Sequence, residues 1–564
     1  MFILGISLGF NSSASLWQDG ECLASISQER LTGVRNTKEI PIYAAKKCFE
    51  IADVNPIEIN VAYTHYEGLS YSYLLKNFPQ CIPLSECDKG VTPEEFLTNM
   101  IEQATGCSVV HMERIEHHAA HMYSAYAVYG KSHKKHTTLT MDGFGDGYSA
   151  RLCICDDKKT EIKAELPLIK SPALYYQFVT GALGFKEHQH EGKITGLATG
   201  NYIDNRDHRV SEALNFFNKL YEDESLLEPL NEKDEKITVS TSTIIDFDKF
   251  LQLKKTIYKF VNSRLHDNYS VENILEHPEA IACAVAVQKF AEEKVYAFLF
   301  ENRGEITDEI YLAGGMFANV AINRMFGEDY KHVYISPAMG DEGGAMGSAA
   351  VIADQMGYLN DEFHPEYIIA GGLDIGGDIH SCQSIAKDLV NEMKDQIVHL
   401  CTGRSEFGPR ALMHRSSLFP ATLSRHSDKL NRAMHRSEFM PYAPVCKSED
   451  CDILFENWEP FEKSLHFMTV ALRTKPGVAE KYVAGVHRDG TCRVQVVHKD
   501  VDCERQAWWI LDAYQDEAKN GERILINTSF NMHNEPTCCT KEQCNSAWER
   551  SGGLGKLYFK KEQI

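Results

Sequence analysis

The sequence predicts an α/β protein whose N-terminal part is duplicated and whose C-terminal part folds as a second domain. An internal repeat carries the first half of that expectation. "LGFNSSASLWQDG", from Leu8, and "FGDGYSARLCICDD", from Phe144, share a glycine, three residues and then Ser-Ala-x-Leu. Each copy follows an apolar run, "FILGI" or "TTLTM", that reads as a preceding strand. Such runs alternate with helical segments, as in a sheet covered by helices. The pattern then fades across "GYLNDEFHPEYIIAGGLDIGGD", which sets a boundary near residue 365. A chain of 564 residues exceeds one hydrophobic core, so 1–365 and 366–564 are expected to be separate domains.

Local signals place the elements in order. The start, "MFILGISLGFNSS", has no basic flank and no small-residue cleavage site, so it reads as a strand rather than an export signal. "TPEEFLTNMIEQATG" offers Thr92 as N-cap, Pro93 in the first turn, Glu95 to close a capping box and Gly106 beyond the end, which predicts a helix. In "EHHAAHMYSAY", residues 116–126, a helix would put His117 and His121 on one face, one turn apart, with rings able to converge. Alone, such a pair is better explained as core or surface histidine. The polar stretch from Asp204 to Asp246 reads as an insertion or surface segment.

"PEAIACAVAVQKFAEEKVYAFLFENRG" predicts a long buried helix ending near Gly304. It is followed by a strand, "EIYLAGG", and a helix in "MFANVAINRMF". A glycine turn of this kind lets a nucleotide approach a helix N-terminus. In "PAMGDEGGAMGSAAVIADQM", Asp341 directly precedes a helix of small residues.

Charge and cysteine usage narrow the class. A net charge of −22 argues against a nucleic-acid partner, and no run reaches the length of a membrane helix. The 17 cysteines are scattered without the spacing of a zinc ribbon and read as reduced thiols in the cytoplasm. Against this acidity, residues 401–436 form a cationic island. Within it, "GRSEFGPRALMHRSSL" offers Arg404, Arg410, Arg415 and His414 to a phosphate or carboxylate.

The "EFGPRAL…RS" string resembles the signature of the O-carbamoyltransferases that modify nodulation factors, cephem antibiotics, tobramycin and ansamycins. The resemblance runs through "LGISLGFNSSASL", "EHHAAHMYSAY", "MDGFGDG", "HEGKITGLATG", "LAGGMFANVAIN" and "GDEGGAMGSAA", and then "HRSEFMPYAPV", "HRDGTCRVQVV" and "ILINTSFNMHNEP". It implies an N-terminal domain of the actin/sugar-kinase type and a C-terminal domain similar to threonylcarbamoyl-adenylate synthase (YrdC-like). It also implies a two-step reaction: ATP and carbamoyl phosphate give carbamoyl-adenylate, and the carbamoyl group then passes to a small-molecule hydroxyl. By the same resemblance, His117, His121, Asp142 and Asp341 match ligands of Fe(II) or a similar divalent metal, whose Lewis acidity suits departure of AMP. Lys193, Gly314, Gly315 and Asn319 fall in motifs that hold the adenylate. Arg404, His414, Arg436, Arg493, Asn527, Ser529 and Asn531 fall in those that hold carbamoyl phosphate. ATP is expected to enter with Mg(II).

The chain departs from the family pattern at several positions. Phe10 stands where a histidine is usual, which leaves the base for the acceptor hydroxyl unassigned. Gly33, Arg35 and Asn36 vary the usual "ERxTRxKH", Met434 replaces a lysine and Asn534 a glycine. Two other classes remain open: a hydrogenase-maturation carbamoyltransferase, which would bring an acylphosphatase domain and Cys-x-x-Cys fingers, and a nucleotide-binding regulatory protein that kept the fold and lost catalysis.

Overall fold

A computed structural model describes residues 1–65, 92–157, 159–223, 237–238, 244–245, 247–304, 306–374, 383–436, 439, 441–518 and 520–559. The first five-stranded sheet comprises β1 (Phe2–Ser7), β2 (Ser13–Gln18), β3 (Glu21–Ser27), β4 (Glu58–Thr64) and β5 (Ser108–Arg114), in the order β3-β2-β1-β4-β5. The second comprises β6 (His136–Gly145), β7 (Tyr148–Cys155), β8 (Thr160–Pro167), β9 (Glu309–Ala313) and β10 (His332–Ile335), in the order β8-β7-β6-β9-β10. In each, the first strand pairs antiparallel with the second, as Leu4 with Leu16 and Leu139 with Leu152. Each also pairs parallel with the fourth, as Leu4 with Val61 and Leu139 with Leu312. The sequence repeat is therefore a repeat of sheet topology. Ile3–Ser7 and His136–Met141 are buried throughout, so neither central strand alternates between buried and exposed positions.

The helices His117–Tyr129 and Gly343–Gln355 pack on one another between the two sheets. Ala120, Ala125, Ala345 and Ala349 are at most 1% exposed, and these small side chains let the helices approach each other and the strands. The predicted helix is found at Pro93–Thr105. Thr92 Oγ1 accepts from Glu95 N at 3.2 Å, Glu95 Oε2 accepts from Thr92 N at 2.7 Å, and Gly106 ends the helix. The long helix spans Pro278–Asn302.

Two expectations change. "MFANVAINRMF" is not one helix but a tight turn, Gly315–Ala318, then a short helix, Val320–Met325. Asn319 divides them, because its side chain accepts from Ala321 N and Ile322 N and starts a new helix. Within the Asp204–Asp246 stretch, His208–Tyr221 is a helix that buries Val210, Ala213 and Phe217 and packs on Pro278–Asn302. Residues 224–236, 239–243 and 246 of that stretch lie outside the described residues.

A six-stranded sheet holds β11 (Val398–Cys401), β12 (Arg415–Pro420), β13 (Pro444–Lys447), β14 (Gln495–Val497), β15 (Leu525–Ser529) and β16 (Lys556–Phe559). Its order is β14-β13-β15-β12-β11-β16, with parallel and antiparallel pairs mixed. Arginines tie this part to the first sheet: Arg30 donates to Gly408 O (2.7 Å) and Thr537 O (3.0 Å), and Arg404 donates to Leu23 O (2.8 Å). Among the described residues, no helix is long and apolar enough to cross a membrane.

His399 in β11 is fully buried, bonded to Ser417 Oγ and Leu554 O, both at 2.8 Å. Burial drives its pKa down to about 4, so the folded protein keeps it neutral while the unfolded chain protonates near pH 6.5. Its contribution to stability is complete above pH 6.5 and falls by up to about 1.4 kcal/mol per pH unit down to pH 4. The melting temperature should therefore drop more steeply from pH 7 to pH 5 in the wild type than in His399→Gln. Parallel losses would contradict this assignment.

Candidate functional site

The end of β6, the start of the His117–Tyr129 helix and the loop before Gly343–Gln355 meet at one point. There the ligand atoms of His117, His121, Asp142 and Asp341 all lie within 4.8 Å of one another. His121 Nε2 is 3.0 Å from His117 Nε2, 3.0 Å from Asp142 Oδ2 and 3.6 Å from Asp341 Oδ1. His117 Nε2 is 3.7 Å from Asp142 and 3.8 Å from Asp341. Local structure explains the convergence. Strand pairing of β6 is irregular between Met141 and Gly145, which frees Asp142 from the ladder. At Gly145 a Cβ would stand 2.0 Å from His117 Cδ2, so only glycine leaves room for the imidazole.

Burial opposes charge on His121, yet hydrogen bonds to Asp142 and Asp341 push its pKa up to about 10. Burial likewise opposes charge on Asp142, and the two histidines hold its carboxyl well below the usual range. Two carboxylates packed this closely demand positive charge. Two imidazole nitrogens and two carboxylate oxygens around one point form a donor set that fits a divalent cation. His118 stands apart from the set: it bonds Thr140 Oγ1 (3.0 Å) and Tyr148 O (3.3 Å), and burial lowers its pKa to about 3, so it is a neutral packing residue.

A second constellation lies in the C-terminal part. Arg493 is half-buried between β14 and the preceding turn, and no described residue bonds its guanidinium. Burial alone lowers its pKa to about 10. Arg410 Nε is buried without a partner, and burial, then Arg493 and Arg35, drive its pKa well down. Arg436 donates to Thr528 Oγ1 (2.9 Å), Ser529 O (2.5 Å) and Asn531 (3.1 and 3.2 Å), bracing the "NTSFN" turn. Ser529 Oγ donates to Asn531 Oδ1 at 2.6 Å. Asn527 donates to Ala411 O and Gln495 Oε1, while its Oδ1 is buried without a partner.

Other expected residues are engaged elsewhere. Arg404 spends Nε and Nη2 on the carbonyls of Gly372, Leu23 and Gly371, which makes it a tie to the first sheet. Arg415, fully buried, donates to five carbonyls, from Leu373, Thr402, Gly403, His414 and Cys539. His414 bonds Cys503 O (3.2 Å) and is held neutral chiefly by burial. Asn531 is saturated, its Nδ2 on Met532 O and Glu535 O.

Asn319 caps its helix and donates to Gln288 Oε1 (2.8 Å), so both ends of its amide are occupied. Gly314, at φ +102°, donates its N–H to Met339 O, and Gly315 faces Asp142 across the same turn. Lys193 lies against the Phe185 ring, within electrostatic reach of Arg35. Met434 is fully buried core where the family has lysine. Asn534 has φ +65°, a backbone region asparagine tolerates in place of glycine, and its Oδ1 lies 2.9 Å from His190 Nε2.

Sequence reasoning missed three groups around the cluster. Asp146 Oδ2 accepts from His117 N at 2.8 Å and pairs with Arg114, fixing the first ligand; it is the second aspartate of the quoted "MDGFGDG". Glu342, next to Asp341, is buried, which raises its pKa to about 7, and it accepts from Asn11 Nδ2 at 3.2 Å. His188 stacks on Phe10.

Two family descriptions match the chain: Carbamoyltransferase N-terminus over residues 2–350 and Carbamoyltransferase C-terminus over residues 389–560. The nodulation protein NolNO of Sinorhizobium fredii is 24% identical over 551 residues, covering 93% of this chain and 75% of that protein. The 3'-hydroxymethylcephem-O-carbamoyltransferase of Amycolatopsis lactamdurans is 27% identical over 273 residues, 46% of this chain and 49% of that protein. Among solved structures, full-length HypF in the phosphate- and nucleotide-bound form is 15% identical with a TM-score of 0.30, covering 63% of this chain and 55% of that one. The ROK family glucokinase of Streptomyces griseus is 13% identical with a TM-score of 0.28, covering 63% of this chain and all of that one. The two family descriptions together take in nearly the whole chain, which belongs to the carbamoyltransferase family and is an enzyme of carbamoyl transfer.

Proposed function

We propose that this enzyme is an ATP-dependent O-carbamoyltransferase working in two steps at two sites. In the first, the C-terminal domain, 366–564, of the YrdC-like type, uses ATP with Mg(II) and carbamoyl phosphate. Water attacks the phosphorus of carbamoyl phosphate, the bond from phosphorus to the carbamate oxygen breaks, and inorganic phosphate leaves. A carbamate oxygen then bonds to the α-phosphorus of ATP as the bond from that phosphorus to pyrophosphate breaks. Arg493 and Arg410 hold phosphate oxygens, for which a guanidinium fork is well matched. The unpartnered Asn527 Oδ1 accepts from the carbamoyl N–H₂, and Ser529 and Arg436 shape the pocket wall.

In the second step, at the 1–365 domain, the acceptor hydroxyl oxygen bonds to the carbamoyl carbon as the bond from that carbon to the adenylate oxygen breaks. AMP leaves with the bonding pair, and the hydroxyl proton is released. His117, His121, Asp142 and Asp341 would hold a divalent ion such as Fe(II), which would supply Lewis acidity for the departure of AMP. Gly314 and Gly315 keep the nucleotide turn free of side chains, and Lys193 adds positive charge near the domain junction. The acceptor is a small molecule bearing a hydroxyl, the class named for the cephem relative.

The observation that carries this proposal is the coexistence of a four-ligand cluster and, elsewhere in the chain, two half-buried arginines, Arg410 and Arg493, that form no ion pair among the described residues. Incubation with ATP, Mg(II) and carbamoyl phosphate should yield AMP and pyrophosphate in equal amounts. Formation of ADP as the nucleotide product would contradict it.

A further inference from the structure

His188 lies within electrostatic reach of Asp142 and Asp341 and takes no part in either step above. It lies before the Glu191–Thr199 helix at φ +63°, a left-handed conformation that disfavours an L-residue by about 1–2 kcal/mol. Two bonds hold it there: His188 N donates to Glu191 Oε1 (2.6 Å), and its carbonyl accepts from Asn36 Nδ2 (2.5 Å). The imidazole stacks on Phe10 with centroids 4.2 Å apart and planes at 23°. Gln177 Nε2, anchored on Glu187 Oε2 at 2.9 Å, donates to His188 Nε2 at 3.2 Å. A neutral ring that accepts at Nε2 carries its proton on Nδ1, and no described residue accepts from Nδ1. The side chain remains exposed.

Its place relative to the chemistry is fixed from two sides. Asn11, next to Phe10, donates to Glu342, the residue after Asp341. The carboxylates of Asp142 and Asp341 act electrostatically on the imidazole itself, as do Glu187 and Lys38. The Lys38 ammonium stands 3.4 Å from the Phe10 centroid and stiffens the platform. A braced stack of half-buried Phe10 and exposed His188, with an unused N–H donor on the histidine, matches the flat face and oxygen atoms of a ring compound. Strain held at such a position points to a function outside folding.

We propose that His188, backed by Phe10, positions the acceptor: its open face packs against a hydroxylated ring and Nδ1–H donates to a ring oxygen, presenting a neighbouring hydroxyl for carbamoylation. The acceptor class is then a cyclic polyol, such as a sugar or cyclitol, rather than an open-chain alcohol. This rests on the two-site reaction proposed above. The test uses the full chain with ATP and carbamoyl phosphate, offering methyl glucoside, myo-inositol or 1-hexanol. Carbamoylated product is followed by mass, and AMP release is followed with and without each probe. His188→Gly removes the ring while keeping the backbone conformation, and His188→Asn keeps that conformation and a donor.

The wild type should either carbamoylate a ring probe or have its acceptor-independent AMP release suppressed by one, and 1-hexanol should do neither. In His188→Gly the half-effective concentration should rise about tenfold with the maximal rate little changed, the loss of roughly one stacking and one hydrogen-bond contact. His188→Asn should fall between the two. A wild type blind to both ring probes, a preference for 1-hexanol, or an unchanged half-effective concentration in His188→Gly overturns the proposal. Pyrophosphate exchange in the wild type reports failure of the two-site reaction separately.

Discussion

Arg493→Ala is expected to lower carbamoyl-phosphate-dependent ATP–pyrophosphate exchange by about a hundredfold or more, the scale of losing one preorganised charged donor at a reacting centre. The guanidinium is half-buried, Arg410 is a like charge beside it, and no described residue bonds it. An arginine kept in that state is a burden to the fold unless an anion completes it. Substitution should therefore leave the melting temperature unchanged or raise it, so activity and stability move independently. Arg493→Lys should recover little, because an ammonium supplies charge without the bidentate fork. If the alanine variant exchanges normally, the anion lies elsewhere. If it melts several degrees lower, Arg493 is part of the fold.

The second large effect falls at the other site. His121→Ala should abolish carbamoyl transfer and cut tightly bound divalent metal, measured by elemental analysis, towards zero. His121 Nε2 is the atom closest to its three companions, so its removal leaves two carboxylates and a single imidazole. Asp142→Asn should act in the same direction more weakly, since one oxygen donor survives. Exchange of pyrophosphate into ATP should continue in both variants, because the arginines that serve it are outside this cluster. Loss of exchange with the fold intact would mean that the two sites are one.

Much of the N-terminal part was legible because its signals are local. A glycine turn between apolar runs became the β1–β2 and β6–β7 hairpins, and a four-residue histidine spacing became two converging rings. Asp142 and Asp341 needed motif resemblance, since nothing near either in sequence says that they meet.

The arginines of "GRSEFGPRALMHRSS" show where local information stops. Arg404, Arg410 and Arg415 look alike in sequence, yet Arg404 and Arg415 are consumed by carbonyls from Leu23, Gly371, Leu373 and Cys539, far along the chain. Only Arg410 keeps a buried nitrogen unpartnered. His188 was invisible for the same reason: Phe10, Asn36 and Gln177 reach it only through tertiary folding. Asn534 is the reverse case, where a departure from glycine is explained by one backbone angle.

The most direct test of the two-site reaction is exchange of labelled pyrophosphate into ATP by the full-length wild-type enzyme with Mg(II). Exchange should be absent without carbamoyl phosphate, appear when it is added, and need no acceptor. Exchange without carbamoyl phosphate, or none in its presence with metal supplied, would contradict formation of carbamoyl-adenylate.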